Sequence, residues 1–377
     1  MMALDLKLIK YIACIIIASL VLSSAHNTAH AADSKPEDTA YYSKYKFIKS
    51  DNYLNIGVQP FYLPGGVITA VMSRDLILQR KLKELGITIV FYVFLTGRDV
   101  NKFFLSDDLQ AGVAGDMPVI TVASKKDVII PAIMHQSFSS IVARRYMLTE
   151  NLNGKRIGYI PGSTGNYFLL RTLSDEGIKE KDVKLVPLDH TEMAAALHSK
   201  TIAAFSDTEP TVSLALITYP DTVVIHRSLT TGYLFLSKEY FIRHPEAVRQ
   251  IVAAQIRAIK WIKSGRGNLS LATAWVQADV YSLSGDKLKI TPEQIADIMI
   301  KHLSWQSDVP VIPEKSLNKD GQIASIVGFM KNQGKIDSAV TTEKIIGSFD
   351  RKLIYEVIDT PDKYSLNEFH YDVKAVQ

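Results

Sequence analysis

An α/β fold with two lobes in succession is what this sequence predicts, on three observations. Short apolar, β-branched runs alternate with helical spacing between residues 54 and 114, and the alternation starts again at Lys155. Four of these runs end in small or polar residues, as strands of an open parallel sheet do where they face a ligand. The 377 residues leave room for two or three domains of about 150 residues each. Hydrophobic residues make up 47% and charged residues 22%, which excludes a disordered tail protein and a coiled coil. The formal charge of +4 comes from 43 basic and 39 acidic residues without long runs. That balance argues against a nucleic-acid binder, which shows a clustered basic face. A lone cysteine, Cys14, excludes a disulfide framework and any multi-cysteine zinc or iron–sulfur site.

The first 31 residues read as a secretory signal peptide. Lys7 and Lys10 precede an apolar run from Tyr11 to Leu22, and Ala29-His30-Ala31 is a small-x-small cleavage site before Ala32. About a dozen apolar residues fall short of the ~20 that a spanning helix needs. Lipidation is disfavoured, because Cys14 lies inside the run and Tyr11 stands where a lipobox wants leucine. Cleavage removes the thiol and releases a soluble, exported product. Residues 32–50 are polar with interspersed tyrosines and lysines, a linker pattern.

Leu54 to Val58 is the first expected strand, ending at Gln59-Pro60. Gly65-Gly66 opens a helical stretch whose apolar positions Val71, Leu78, Leu82 and Leu85 share a face, with Gly86 as its stop. Ile87 to Phe94 is almost wholly apolar, as a strand buried on both faces is. Gln110 to Ala114 is a third strand, and the order implies right-handed βαβ units. The restart has strands at Lys155–Ile160, Val183–Pro187, Ile202–Phe205 and Thr222–His226, with helices at Tyr167–Leu173 and Thr191–His198. An extended segment over 226–240 returns to the first lobe. Pro245 then suits a helix first turn, followed by Val248, Ile251, Val252, Ile259 and Ile262 at helical spacing. No short-period repeat suggests a solenoid.

The candidate ligand residues lie at the strand ends: Gln59-Pro60-Phe61, Gly115-Asp116-Met117-Pro118, Gly162-Ser163-Thr164-Gly165 and Asp207-Thr208-Glu209-Pro210. A Gly-Ser-Thr-Gly turn opening a helix aims backbone N–H groups, two hydroxyls and the positive end of a helix dipole at one point, an anion site. The alternative is an ordinary turn with Ser163 or Thr164 as N-cap. Asp116 and Glu209 suit a cationic group of the ligand or proton transfer, and equally a solvated loop. Phe61 and Tyr62 suit stacking or packing. Seven histidines follow residue 31, none in an HExxH or a ligand-spaced cluster, so no metal and no cofactor is expected. Trp261, Trp275 and Trp305 read as core or groove residues. Gly154-Lys155 lacks the rest of a phosphate loop, having Thr149 and Arg156 at the other key positions, and there is no GxSxG nucleophile motif.

Several segments together resemble the nitrate/sulfonate/taurine-type substrate-binding proteins of ABC transporters, close to the group named for thiamine-pyrimidine biosynthesis. They are Ile56-Gly57-Val58-Gln59-Pro60, Leu82 to Leu95, Ala114 to Pro118, Asn151 to Gly158 with Pro161-Gly162-Ser163-Thr164, and Glu209-Pro210, within residues 53–265. Two turns depart from the family, which usually has glycine where this chain has Asp107 and Lys200. The resemblance implies a type II periplasmic binding fold: two α/β lobes, two hinge strands and a ligand in the cleft. Lobe 1 would be 51–143 plus 234–340, lobe 2 144–233, and 341–377 a C-terminal extension, with hinges near 143–147 and 228–233. It implies a periplasmic, non-enzymatic, monomeric solute-binding protein that captures a small anionic or zwitterionic ligand and delivers it to a permease and ATPase, with no nucleic-acid partner. The expected contacts are Gln59, Pro60, Phe61, Gly115, Asp116, Met117, Gly162, Ser163, Thr164 and Glu209, with the anionic group on the helix and an ammonium near Glu209. The alternatives are an enzyme or binder related to thiamine-pyrimidine synthesis, whose iron site and cysteine-rich motif this chain lacks, and a ligand-sensing receptor subunit. Stacking of a neutral heterocycle on Phe61 and Tyr62 stays open.

Overall fold

The computed structural model of the protein describes residues 41–285, 289–304 and 306–373. The expected signal peptide, the linker up to residue 40 and Trp305 lie outside them. Two compact units divide the chain at Tyr45. Of the first, the described residues 41–45 form a turn in which the Tyr42 and Tyr45 rings lie 5.8 Å apart. All that follows concerns the second unit, residues 46–377.

Among the described residues, eight strands form a single sheet. The first half contains β1 (Tyr53–Val58), α1 (Gly65–Met72), α2 (Leu76–Glu84), β2 (Thr88–Val93), α3 (Gly97–Leu105), β3 (Ala111–Gly115) and α4 (Asp116–Lys125). Next comes β4 (Val128–Ala143). The second half contains β5 (Arg156–Tyr159), α5 (Thr164–Asp175), β6 (Lys184–Pro187), α6 (Met193–His198), β7 (Ala204–Asp207) and α7 (Thr211–Thr218), and β8 (Val223–Ser237) leads back. The order across the sheet is β2-β1-β3-β8-β4-β7-β5-β6. Strands β1, β2 and β3 are parallel, as are β5, β6 and β7. The long β4 and β8 are antiparallel to each other and run through both halves.

Strand β4 was not legible in the sequence, because Pro131 and the polar run Gln136-Ser137 break its pattern. In the sheet, Pro131 falls in a register break between Ile129 and Ala132, where its missing N–H costs no ladder bond. The expected single helix over 65–85 is two. Asp75 interrupts it and caps α2, its carboxylate accepting from the Ile77 and Leu78 N–H groups at 2.8 and 3.0 Å. The two expected hinge segments differ. Ser228 and Tyr233 pair with Ser139 and Ile133 where the strands pass between the halves. Residues 143–147 lie at the far end of β4, within the second half.

Strands β1 and β3 bury Leu54, Ile56 and Val113 against helices from the end of the chain. These are α8 (Lys238–Arg243), α9 (Pro245–Lys263), α10 (Arg266–Ser284) and α11 (Pro292–Leu303). Trp261 and Trp275 stack there at 5.6 Å, both in the core. Then come α12 (Gln322–Asn332), α13 (Thr342–Ile346) and α14 (Arg351–Ile358). The expected C-terminal extension is part of this core: Leu353, Ile354, Val357, Tyr364 and Leu366 are buried in it. Arg257, fully buried, pairs with Asp75 at 2.7 Å and donates to the Tyr364 carbonyl at 2.7 Å, tying α2, α9 and the C-terminal segment together. At the other end, residues 46–50 are not a free linker. Phe47 packs its ring 4.5 Å from Tyr92, and Lys49 pairs with Asp108 at 2.9 Å. The second half has its own cores, around Ile157 and Leu169 and around Phe205 and Val212.

Candidate functional site

The carboxyl ends of β1, β3, β5 and β7 meet at one cavity between the two halves of the sheet. Gln59, Tyr62, Thr96, Gly97, Gly115 and Pro118 line it from the first half, and Ser163, Thr164, Gly165, His190, Asp207 and Thr208 from the second. Three helix N-termini converge on it, those of α3 at Gly97, α4 at Gly115 and α5 at Ser163-Thr164. Each contributes the positive end of its dipole. The Thr164 and Gly165 N–H groups, being in the first turn, have no acceptor within the helix. The free space enclosed is about 20 Å³, room for about one water molecule.

Two glycines make this closeness possible. A Cβ on Gly115 would lie 1.8 Å from the Thr164 hydroxyl and 2.6 Å from Tyr62 Oη. One on Gly165 would lie 3.0 Å from Asp207 Cα and from the Ser206 carbonyl, to which the start of α5 is pressed. Ser206 Oγ donates to the Gly165 carbonyl at 2.8 Å, holding that contact.

Of the ten expected contact residues, Gln59, Gly115, Ser163 and Thr164 line the cavity. Ser163 is also the N-cap of α5, accepting from the Asn166 N–H at 3.0 Å. Gly162 stands one residue back with φ +71° and donates to Asn166 Oδ1 at 3.0 Å. Pro60, Phe61 and Met117 are buried beside the cavity without lining it. Glu209, where an ammonium is expected, does not line this cavity; its carboxylate accepts from the Ser213 N–H of α7 at 3.0 Å. Asp116 lines a neighbouring cavity of 330 Å³, with Tyr167, Arg171 and His226. Its carboxylate accepts from the Thr231 N–H of β8 at 3.0 Å, and burial pushes its pKa up to about 7.

His190 is the residue the sequence reading missed. Its Nδ1 lies 2.8 Å from Asp207 Oδ2, and its ring stacks on Phe61 at 5.6 Å with an interplanar angle of 3°. Phe61 belongs to the first half and His190 to the second, so the pair spans the cleft and one face of Phe61 is covered. Burial lowers the His190 pKa, but the Asp207 carboxylate outweighs it and the net shift is upward. Tyr62, whose hydroxyl burial holds far above its usual range, makes an edge contact with His135 at 4.4 Å. His190 and Asp207 are seventeen positions apart, with no local motif. The available signal was that each follows or ends a strand of the same parallel set.

Known proteins share this fold. A model of the NMT1-like family matches residues 115–277. The taurine-binding periplasmic protein of Escherichia coli (strain K12) is 26% identical over 231 residues, which cover 56% of this chain and 72% of that protein. Among solved structures, the alkanesulfonate-binding protein SsuA from Xanthomonas axonopodis pv. citri, bound to MOPS, superposes with a TM-score of 0.62 at 18% identity, covering 79% of this chain and 98% of that one. The periplasmic nitrate-binding protein NrtA from Synechocystis PCC 6803 gives a TM-score of 0.60 at 12% identity, covering 83% and 90%. The fold is therefore that of the periplasmic binding proteins, two α/β halves on one mixed sheet. By sequence the chain is similar to the NMT1-like and taurine-binding proteins.

Proposed function

We propose that the chain is a periplasmic solute-binding protein that captures a small anionic or zwitterionic ligand of the sulfonate, taurine or nitrate kind and delivers it to an ABC permease. The observation that carries this reading is the convergence of three helix N-termini on one cavity at the strand ends. Dipole ends and first-turn N–H groups bind delocalised oxyanions without proton transfer. The raised Asp116 pKa removes part of a nearby negative charge that would oppose an anion. The two halves of the sheet act as lobes, with the passage of β4 and β8 between them as the hinge, and the tail to residue 371 belongs to the first lobe. A cavity of about 20 Å³ admits a ligand only when the lobes part. The reading is of a binder and not a catalyst, because the Ser163 hydroxyl serves as a cap and Glu209 serves α7. Among the described residues no helix is long and apolar enough to cross a membrane.

Isothermal calorimetry with taurine, short alkanesulfonates and nitrate tests the reading. At least one should bind, and Ser163→Ala/Thr164→Ala should weaken it by about tenfold or more, the worth of one charge-assisted hydrogen bond. Binding of none, or equal binding by the double variant, overturns it.

A further inference from the structure

At the opposite edge of the second half-sheet lies a basic concavity of 460 Å³. Arg144, Arg145, Lys155, Arg156, Lys184 and Lys200 line it, and no carboxylate does. None of the six makes an ion pair among the described residues. In a chain nearly balanced at 43 basic and 39 acidic residues, such clustering of one sign is local. One of these cations is also placed at a cost. Lys200 holds φ +63°, a left-handed conformation that disfavours any residue with a Cβ.

The segment that follows β4 adds an apolar element. Tyr146 is 71% exposed and Leu148 50%, while Met147 between them packs against the core of the second half. The loop is thus pinned by one side chain and presents an aromatic and an aliphatic group beside Arg145. Basic residues with a protruding tyrosine and leucine suit the headgroup boundary of a membrane. Nucleic acid would use the cations but gains little from an exposed leucine. Arg156 and Lys184 open β5 and β6, whereas the ligand cavity lies beyond the far ends of the same strands. About 13 Å of four-residue strand separates the two, so a surface held at this edge leaves the cleft open.

We propose that this edge docks the protein on a membrane surface carrying anionic phospholipid headgroups, with Tyr146 and Leu148 entering the interface. The reading does not depend on what the cleft binds. The chain purified from an exporting host is sedimented with vesicles of phosphatidylcholine alone or with about one-third phosphatidylglycerol. Binding to the anionic vesicles should be about tenfold stronger or more and should vanish at high salt. The sedimented protein is the form whose N-terminus mass spectrometry places near Ala32, without the apolar run and without Lys7 and Lys10, which would themselves favour anionic vesicles. Arg145→Glu/Lys155→Glu/Lys184→Glu should bring anionic binding down to the neutral level. Lys200→Gly, which relieves the left-handed backbone, should weaken anionic binding several-fold without lowering the melting temperature, and Tyr146→Ser/Leu148→Ser should weaken it at constant charge. Equal binding to both vesicles, no effect of the charge variants, or capture of an oligonucleotide or pyrophosphate in place of vesicles overturns the proposal.

Discussion

Asp116 shows how position sets charge. As the first residue of α4 it is at a helix N-terminus, which favours the carboxylate, yet burial dominates and raises its pKa to about 7. The sign of the linkage follows. The folded state holds this proton more tightly than the unfolded chain, so the contribution is fully present below pH ~4 and is lost as pH rises towards about 7. His135, which burial and then His302 push down to about 3, acts in the opposite sense. The Asp116 contribution is therefore read as the difference between wild type and Asp116→Asn. Urea unfolding at pH 5 and at pH 8 should show the wild type losing more stability than the variant between the two, by about 2 kcal/mol or more. Parallel losses would mean Asp116 does not titrate in this range. Gly115 is the second decisive position. A methyl there would meet the Thr164 hydroxyl at 1.8 Å, so Gly115→Ala should hold the cleft apart. Ligand affinity should fall by about tenfold or more while the melting temperature changes by only a few degrees.

Elements at the chain's end carry more of the fold than their position suggests. Helix α14 is amphipathic and buries Leu353, Ile354 and Val357 in the core beneath β1 and β3. Full burial of each such side chain contributes about 1.5–3 kcal/mol. Arg257, with no exposed surface, depends on Asp75 and on the Tyr364 carbonyl for its partners. Truncation after residue 341 would uncover the apolar face and strip Arg257 of one acceptor. The truncated protein should be insoluble, or melt far below the full chain, in a thermal unfolding measurement. A soluble product with unchanged melting temperature would show the segment to be dispensable.

For the molecule as a whole, the sheet is continuous across both halves only through β4 and β8. Their register breaks between Ile133 and His135, opposite Tyr233 and Gly232, and there Gly232 leaves no room for a Cβ, which would lie 2.5 Å from the His135 ring. The Phe61–His190 stack, the bond from the Leu63 N–H to the Glu209 carbonyl at 3.0 Å and the close approach of Gly115 to Thr164 join the cleft edges, and Tyr167 and Arg171 of the second half pack on the Phe329 ring. Opening at this bend breaks these contacts, and a bound anion that bridges the three helix N-termini favours closure. Small-angle scattering with and without the ligand found by calorimetry should show a smaller radius of gyration in the bound form. An unchanged profile at saturation would rule out lobe closure.

The βαβ order and the helix start at Ser163-Thr164 were readable along the chain, because each depends on residues within one element. The apolar run Ile87–Phe94 marks a strand, but not the one buried on both faces that it suggests: β2 is the edge strand of the sheet and mostly half-buried, because strand order depends on pairing partners far away in sequence. A Gly-Ser-Thr turn presents N–H groups wherever its helix is placed. Tertiary structure decided the rest. It brought Asp207 to His190 through the pairing of β5 with both β6 and β7. It turned Glu209 towards α7, and it drew β4 through Pro131 by placing that residue at a register break. It also gathered six cations from four separate segments at one edge of the sheet. Those outcomes depend on long-range pairing and burial, whose free energy is shared among residues far apart in sequence and leaves no periodic mark on any one of them.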